Sequence, residues 1–439
     1  MHRLFVAALI VAAAPAVAAT DSLVLSPSQL DQLTHLQSGT SIVLGGFPDG
    51  RGSTASLSFE RLDVYAPGAR VVVVDASGEH DVPRSERIHL LGADASNTLR
   101  ASLAFDPGFD HVTGIASTPS GTFAIGAQHD ERGTHIQVIP MQETLPPGVV
   151  PEMVAGDDAL PSGNAPPSAL AIALAAMAPA AAPRGAVVAI DTDTEFLLKR
   201  FSSNTSAATS WIADLFAAMN VMYQRDLNVT LQQGTTYLRT TSDPYSVTSS
   251  PADSTNLSEF GTYWQANYPT VPRTFAALLS GKAETPNNAS GIAWINSYCH
   301  NQSQGGSYSV TQVFTNPQLN VGLSALIAGH EIGHNFGAYH THCTNLTTGA
   351  LTATNTIDKC YSGETGCYSG PTTCPTSGPG APAGTVMSYC NSIGCGTGGQ
   401  NVLQFHPTQI TTLSALIAQN TPSCLAANAD QIFKNGFDG

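Results

Sequence analysis

The chain has 439 residues, 42% of them hydrophobic and only 11% charged, with 17 basic against 32 acidic residues and a formal net charge of −15. Only Lys282, Lys359 and Lys434 follow Arg273 as basic residues, so no cationic stripe is present to neutralise phosphates, which excludes a nucleic-acid partner. The length exceeds one ordinary hydrophobic core and points to two or three domains. All eight cysteines fall between Cys299 and Cys424, with no CxxC pair. An even number packed into one stretch is the pattern of a disulfide-stapled domain made in an oxidising compartment.

In chain order, residues 1–18 read as an export signal: Arg3 gives a positive start, residues 4–14 an apolar stretch, and Ala16-Val17-Ala18 a small-residue cleavage site. The apolar run falls short of the ~20 residues a membrane anchor needs. Secretion is therefore expected, with no membrane partner. Residues 19–142 carry short β-prone runs at 41–44, 57–65, 71–74, 88–91 and 136–140, separated by turn signals such as Pro48-Asp49-Gly50 and Pro67-Gly68. His80, His89, His111, His129 and His135 are scattered singly there and form no catalytic cluster. Residues 143–184, rich in Pro and Ala, read as a linker open to an activating proteolytic cut.

Residues 185–425 mix α and β signals. An apolar strand run at 186–190 precedes Trp211, Ile212, Leu215, Phe216, Met219 and Met222 at helical spacing, with Asn204, Thr205 and Ser206 as capping candidates. Strand character returns at 229–237, 275–279 and 291–295. The tail, 426–439, has no physical reading beyond a sorting or docking tag.

His330-Glu331-Ile332-Gly333-His334 lies in a helical run starting near Asn320, with Leu323, Leu326, His330 and His334 on one face. At 3.6 residues per turn, four residues leave the two histidines only about 40° apart. Both imidazoles can reach one metal ion, while Glu331 points aside to where it can hold a metal-bound water. Gly337 can take the left-handed conformation that ends a helix, turning the chain so that His340 returns as a third ligand. Three neutral nitrogen ligands leave a fourth position open, which marks a catalytic rather than a structural zinc.

The segment from His330 to His340 resembles the metzincin zinc signature, and Val386-Met387-Ser388-Tyr389 resembles the Met-turn of that clan. The 291–295 run leading to Cys299, the Cys-rich loop after His340 and the late Cys424 are similar to the reprolysin (adamalysin-like) group and its bacterial relatives. The resemblance covers residues 186–424, and residues 57–91 are weakly similar to the β-rich propeptides that precede such bacterial enzymes. It implies an α+β catalytic domain with a twisted mixed sheet and a zinc-site helix, preceded by an all-β propeptide. It further implies one catalytic Zn2+ on His330, His334 and His340, Glu331 as general base and Met387 as a hydrophobic floor beneath the ligands. Gly291, Ile292, Ala293, Trp294 and Ile295 would form the edge strand that binds extended substrate. Tyr389 would act as a zinc ligand or oxyanion stabiliser, by likeness to astacins and serralysins.

The same resemblance suggests a Cys299–Cys424 disulfide. The remaining Cys343, Cys360, Cys367, Cys374, Cys390 and Cys395 allow 15 connectivities, which stay open. A structural Ca2+ also stays open. The expected protein is a secreted, monomeric zinc endopeptidase acting on proteins or peptides, made as a zymogen with its own propeptide as intramolecular inhibitor. That propeptide has no cysteine, so inhibition would be steric or through an Asp, Glu or His. The alternatives are a serralysin- or astacin-like metzincin, a cell-wall peptide hydrolase, or a non-enzymatic secreted zinc-binding module. Glu331 and the open three-histidine site favour an enzyme.

Overall fold

The computed structural model describes residues 22–119, 121–131, 133–141, 154–155, 183–246, 254–282, 289–314, 321–396 and 401–427. The expected export signal, nearly all of the expected linker and the tail beyond residue 427 lie outside the described residues.

The N-terminal segment holds β1 (Ser22–Leu25), a short helix α1 (Pro27–Thr34), β2 (Ser41–Pro48), β3 (Thr54–Arg61), β4 (Val71–Asp75), β5 (Gly78–Val82), β6 (Ile88–Ala93), β7 (Arg100–Phe105), β8 (Val112–Thr118), β9 (Gly121–Asp130) and β10 (Gly133–Pro140). Helix α1 starts at a capping box in which Ser26 and Gln29 satisfy each other's backbone N–H groups. Eight of the strands form one antiparallel sheet in the order β1-β10-β9-β8-β7-β6-β3-β2. Inward and outward residues alternate along β10, so Thr134, Ile136 and Val138 point into a core with Leu44, Phe59, Leu90, Leu103 and Ile125. Strands β7 and β8 are buried on both faces, because a helix of the following domain covers their outer side.

That domain adds β11 (Val154–Ala155), β12 (Arg184–Thr192), α2 (Thr205–Leu227), β13 (Val229–Arg239), α3 (Ser254–Asn267), β14 (Phe275–Ser280), β15 (Ala289–Ala293), β16 (Tyr308–Gln312), α4 (Gly322–Asn335), α5 (Pro407–Gln419) and β17 (Ala426–Ala427). Its sheet runs β11-β15-β16-β14-β12-β13-β4-β5, with β17 beside β12. Strands β16, β14, β12, β13 and β4 are parallel neighbours, whereas β15 is antiparallel to β16. The sheet is thus mixed, as expected. The β4–β5 hairpin, however, leaves the N-terminal sheet and extends this one. A run of four valines reads as a strand in sequence, but nothing local says which sheet receives it.

Helix α2 begins at Asn204, whose side chain accepts from Ala207 N at 3.0 Å, and ends at Asn228 in the left-handed region with φ 53°. The aromatic and methionine residues read at helical spacing all lie in the core, and the other faces of the helix are buried nearly all round as well, because it lies between the two sheets. Alanines at 208, 213, 217 and 218 are buried there and allow the close approach.

At the C-terminal end of β12, Asp191 is fully buried and takes both ends of the Arg239 guanidinium at 2.8 Å. It also accepts from the Tyr245 hydroxyl at 2.6 Å and from Trp264 Nε1 at 2.9 Å. This fork joins β12, β13 and α3 and fixes the ends of the parallel strands.

The observed β15 starts and ends two residues earlier than the 291–295 run suggested. Trp294 and Ile295 lie past its end because the chain turns at Asn296 (φ 55°), where Asn296 N and Ser297 N bond to the carbonyls of His334 and Asn335. The strand end is thereby tied to the end of α4. Four disulfides are present: Cys299–Cys424, Cys343–Cys367, Cys360–Cys390 and Cys374–Cys395. The last three staple a loop with little regular structure of its own.

Candidate metal centre

Helix α4 carries His330 and His334 on a turn anchored in the core by Leu323, Leu326 and Ile327. It stops at Gly337, which has φ +107° and whose N–H reaches the His334 carbonyl at 2.8 Å. A Cβ at this position would lie 2.3 Å from Leu416 Cδ1. Both the backbone sign and the space therefore require glycine. The turn brings His340 back onto the helix.

The three Nε2 atoms converge: His330 to His334 at 3.0 Å, His334 to His340 at 3.1 Å and His330 to His340 at 3.3 Å. Each Nδ1 faces an oxygen: His330 on the Val386 carbonyl at 2.8 Å, His334 on the Ala338 carbonyl at 2.7 Å, and His340 on Glu364 Oε2 at 2.7 Å. Carbonyl and carboxylate oxygens only accept, so each Nδ1 is the N–H donor and each Nε2 carries a lone pair. Three lone pairs aimed at one buried point need a cation between them. Tetrahedral zinc with Zn–N near ~2.05 Å sets its nitrogens about 3.3 Å apart, which these distances fit.

Glu331 is 2% exposed, and its carboxylate lies over the backbone of Gly291: a Cβ there would come 2.3 Å from Glu331 Oε1. Gly291→Ala should displace the carboxylate and lower kcat of any reaction that uses it by about 10²-fold, with metal content unchanged. Steady-state kinetics beside metal analysis checks this, and unchanged kcat would show that the carboxylate tolerates the shift.

Met387 is fully buried under the helix, with Sδ 2.9 Å from the place a Gly333 Cβ would occupy. Its carbonyl accepts from Thr341 N at 3.0 Å, and Ser388 N closes the turn onto the Thr385 carbonyl at 2.9 Å. Neighbouring Val386 holds His330, so the turn both floors and orients the cluster. The Tyr389 hydroxyl lies 2.9 Å from His340 Nε2, its ring 4.4 Å from the His340 ring. Of the expected edge strand, Gly291 backs Glu331. Ile292 and Trp294 pack into the core with α3, and Ile295 packs against Tyr339 and the Cys343–Cys367 bridge. The backbone of Val154–Ala155 pairs parallel with this strand, Ala155 opposite Gly291.

Glu364 is a site residue that sequence reasoning did not find, and it joins His340 to His342, which lies close to His340 in sequence. Glu364 Oε2 accepts from His340 Nδ1 and from His342 Nε2 at 2.8 Å, and the two rings stack 5.2 Å apart. Burial alone would raise the Glu364 pKa, but the facing His340 and His342 imidazoles hold it well below the ordinary carboxylate range. Burial likewise lowers the His342 pKa. For Glu364 the signal was a glutamate three residues before Cys367, whose pairing with Cys343 brings it to His340. Glu364→Gln is expected to weaken zinc binding by about 10–100-fold, read by competition with a chromogenic chelator. Unaltered affinity would remove Glu364 from the metal's support. Asp358 does related work, accepting from the Ser388 hydroxyl at 2.7 Å within the Met-turn.

A family profile described as Reprolysin_5, metallo-peptidase family M12, matches residues 183–405, the span holding every residue of this cluster. Among solved structures, metalloproteinase-II from Bacteroides fragilis is similar over 69% of this chain and 82% of its own, with 10% identity and a TM-score of 0.38. That likeness is too weak to argue from. No curated protein matches the chain.

Proposed function

Since the chain belongs to metallopeptidase family M12 and is a zinc metalloendopeptidase, we propose that it is a secreted enzyme, made as a zymogen, that cleaves extended protein or peptide substrates with Glu331 as general base. The convergence of three Nε2 lone pairs within 3.3 Å carries this reading. Zinc held there by His330, His334 and His340 would supply Lewis acidity toward a scissile carbonyl and toward water. Glu331 takes the proton of the attacking water and delivers it to the departing amine. The Tyr389 hydroxyl, 2.9 Å from His340 Nε2, donates to the oxygen on which negative charge develops. The backbone of β15 beside Glu331 pairs with the substrate main chain.

Zymogen character is supported by the pairing of Val154–Ala155 with β15, since that strand edge is the one substrate needs. A cut in the linker frees it. Secretion rests on the residues 1–18, and no helix among the described residues is long and apolar enough to cross a membrane. The enzyme acts as a monomer, with no nucleic-acid partner.

The test is hydrolysis of an unstructured protein such as casein by the linker-cut chain. Chelator should abolish cleavage and zinc restore it. Full activity in metal-free protein would overturn the reading. A zinc-loaded, linker-cut chain that cleaves nothing in a peptide library would instead support the non-enzymatic zinc module.

A further inference from the structure

Building on the zymogen reading, we propose that the N-terminal β region, residues 22–141, stays bound after the linker is cut, as a permanent noncovalent subunit that supports the zinc site. Four kinds of contact carry this.

The first is the shared sheet. Strand β4 pairs with β13, Val71 to Val74 opposite Thr236 to Arg239. Just before it, Gln233 exchanges backbone bonds with Val64 and Ala66 at 2.8 and 2.9 Å. Removing the region would expose a line of unpaired backbone groups on β13. The second is the core. Leu62, Leu91 and Ile115 from the N-terminal side belong to the same cluster as Ile212, Leu215 and Phe216 of α2. A removable lid would meet the catalytic domain over its cleft, not share its interior.

The third contact is charged. Asp214, in the middle of α2 with a side chain 1% exposed, pairs with Arg87 and, at 2.9 Å, with His89 Nε2, both from the N-terminal region. Their departure would strip a buried carboxylate of these two partners. Ser85 adds a bond to Ser210 on the same helix at 3.0 Å.

The fourth reaches the metal cluster. Leu403 is gripped from the N-terminal sheet, its carbonyl by the Ser117 hydroxyl at 3.2 Å and its N–H by Thr122 Oγ1 at 3.0 Å. The next residue, Gln404, accepts from Val386 N at 2.9 Å, and the Val386 carbonyl holds His330 Nδ1. Strands β8 and β9 thus buttress the Met-turn from beneath. Among the described residues of the N-terminal part and linker, only Val154–Ala155 lies on the substrate strand, held by two residues of parallel pairing, so a cut in the linker lets that short segment leave the cleft without unseating the rest.

To test this, a site for a specific protease is placed within residues 156–182 of the full chain, cut, and the product run on size exclusion at about 1 µM, where pairs with a weaker dissociation constant come apart. Both fragments should elute as one species, with peptide hydrolysis rising on cleavage. Separation into a free N-terminal fragment and a catalytic fragment that keeps its zinc and full activity overturns the proposal. Coelution without any gain in hydrolysis supports the permanent subunit and counts against the zymogen reading instead. The double variant Arg87→Ala, His89→Ala should weaken fragment association by about tenfold or more. An unchanged dissociation constant overturns the charge-anchored interface.

Discussion

Glu331→Ala is expected to lower kcat for peptide hydrolysis by about 10²- to 10⁴-fold, the range a positioned general base contributes, while zinc stays bound. The separation of the two effects follows from how the ligands are held. His330, His334 and His340 are oriented through Nδ1 by Val386, Ala338 and Glu364, and none of these contacts involves Glu331. Glu331 is the neighbour of His330 on α4, so its side chain leaves the helix beside the cluster, against Gly291, and not through it. Metal analysis and steady-state kinetics on one preparation decide the matter. A kcat within tenfold of wild type would mean another group takes the proton. Loss of zinc would make Glu331 part of the metal's support.

Asp191→Asn should destabilise the chain by about 3–5 kcal/mol, because it leaves the Arg239 guanidinium buried without its counter-charge. For a domain of this size that is a fall of roughly 10 °C in the thermal midpoint. The asparagine keeps the shape and its oxygen can still accept from Tyr245 and Trp264, but its amide nitrogen would face the Arg239 Nε and Thr192 N donors, so the loss combines the missing charge with two lost acceptor bonds. Adding Arg239→Met should restore part of the midpoint, since an apolar side chain of similar length replaces the orphaned charge. Differential scanning calorimetry on the four proteins reads both effects. A single variant within 2 °C of wild type would mean water already reaches the pair.

The metal ligands were legible because helix geometry and a glycine stop are local properties. Spacing by four residues puts His330 and His334 on one face. Gly337 must turn the chain whatever surrounds it, and its φ of +107° is the realised form of that requirement. Met387 and Tyr389 were legible through resemblance alone, since nothing in a Val-Met-Ser-Tyr run states what it packs under. Glu364 was not legible. It reaches His340 through a loop whose path is set by three disulfides, and cysteine positions alone do not give their pairing. The same limit applies to the edge strand. Composition marked the 291–295 run as β, but its end is decided by where the backbone meets the carbonyls of α4.

The sequence by itself determined an acidic chain unsuited to nucleic acid, a β-rich first part, a mixed α and β second part, and three histidines with a glutamate in metal-binding order. Each is written in residue type or in spacing along one element. Tertiary structure alone decided that the Val71–Val82 hairpin completes the second sheet, that α2 is enclosed on all sides, and that the N-terminal strands hold the segment beneath the Met-turn. Those outcomes depend on which of many similar β edges and apolar faces meet. That choice is set by the summed burial and hydrogen bonding of segments far apart in the chain, and no local pattern encodes it.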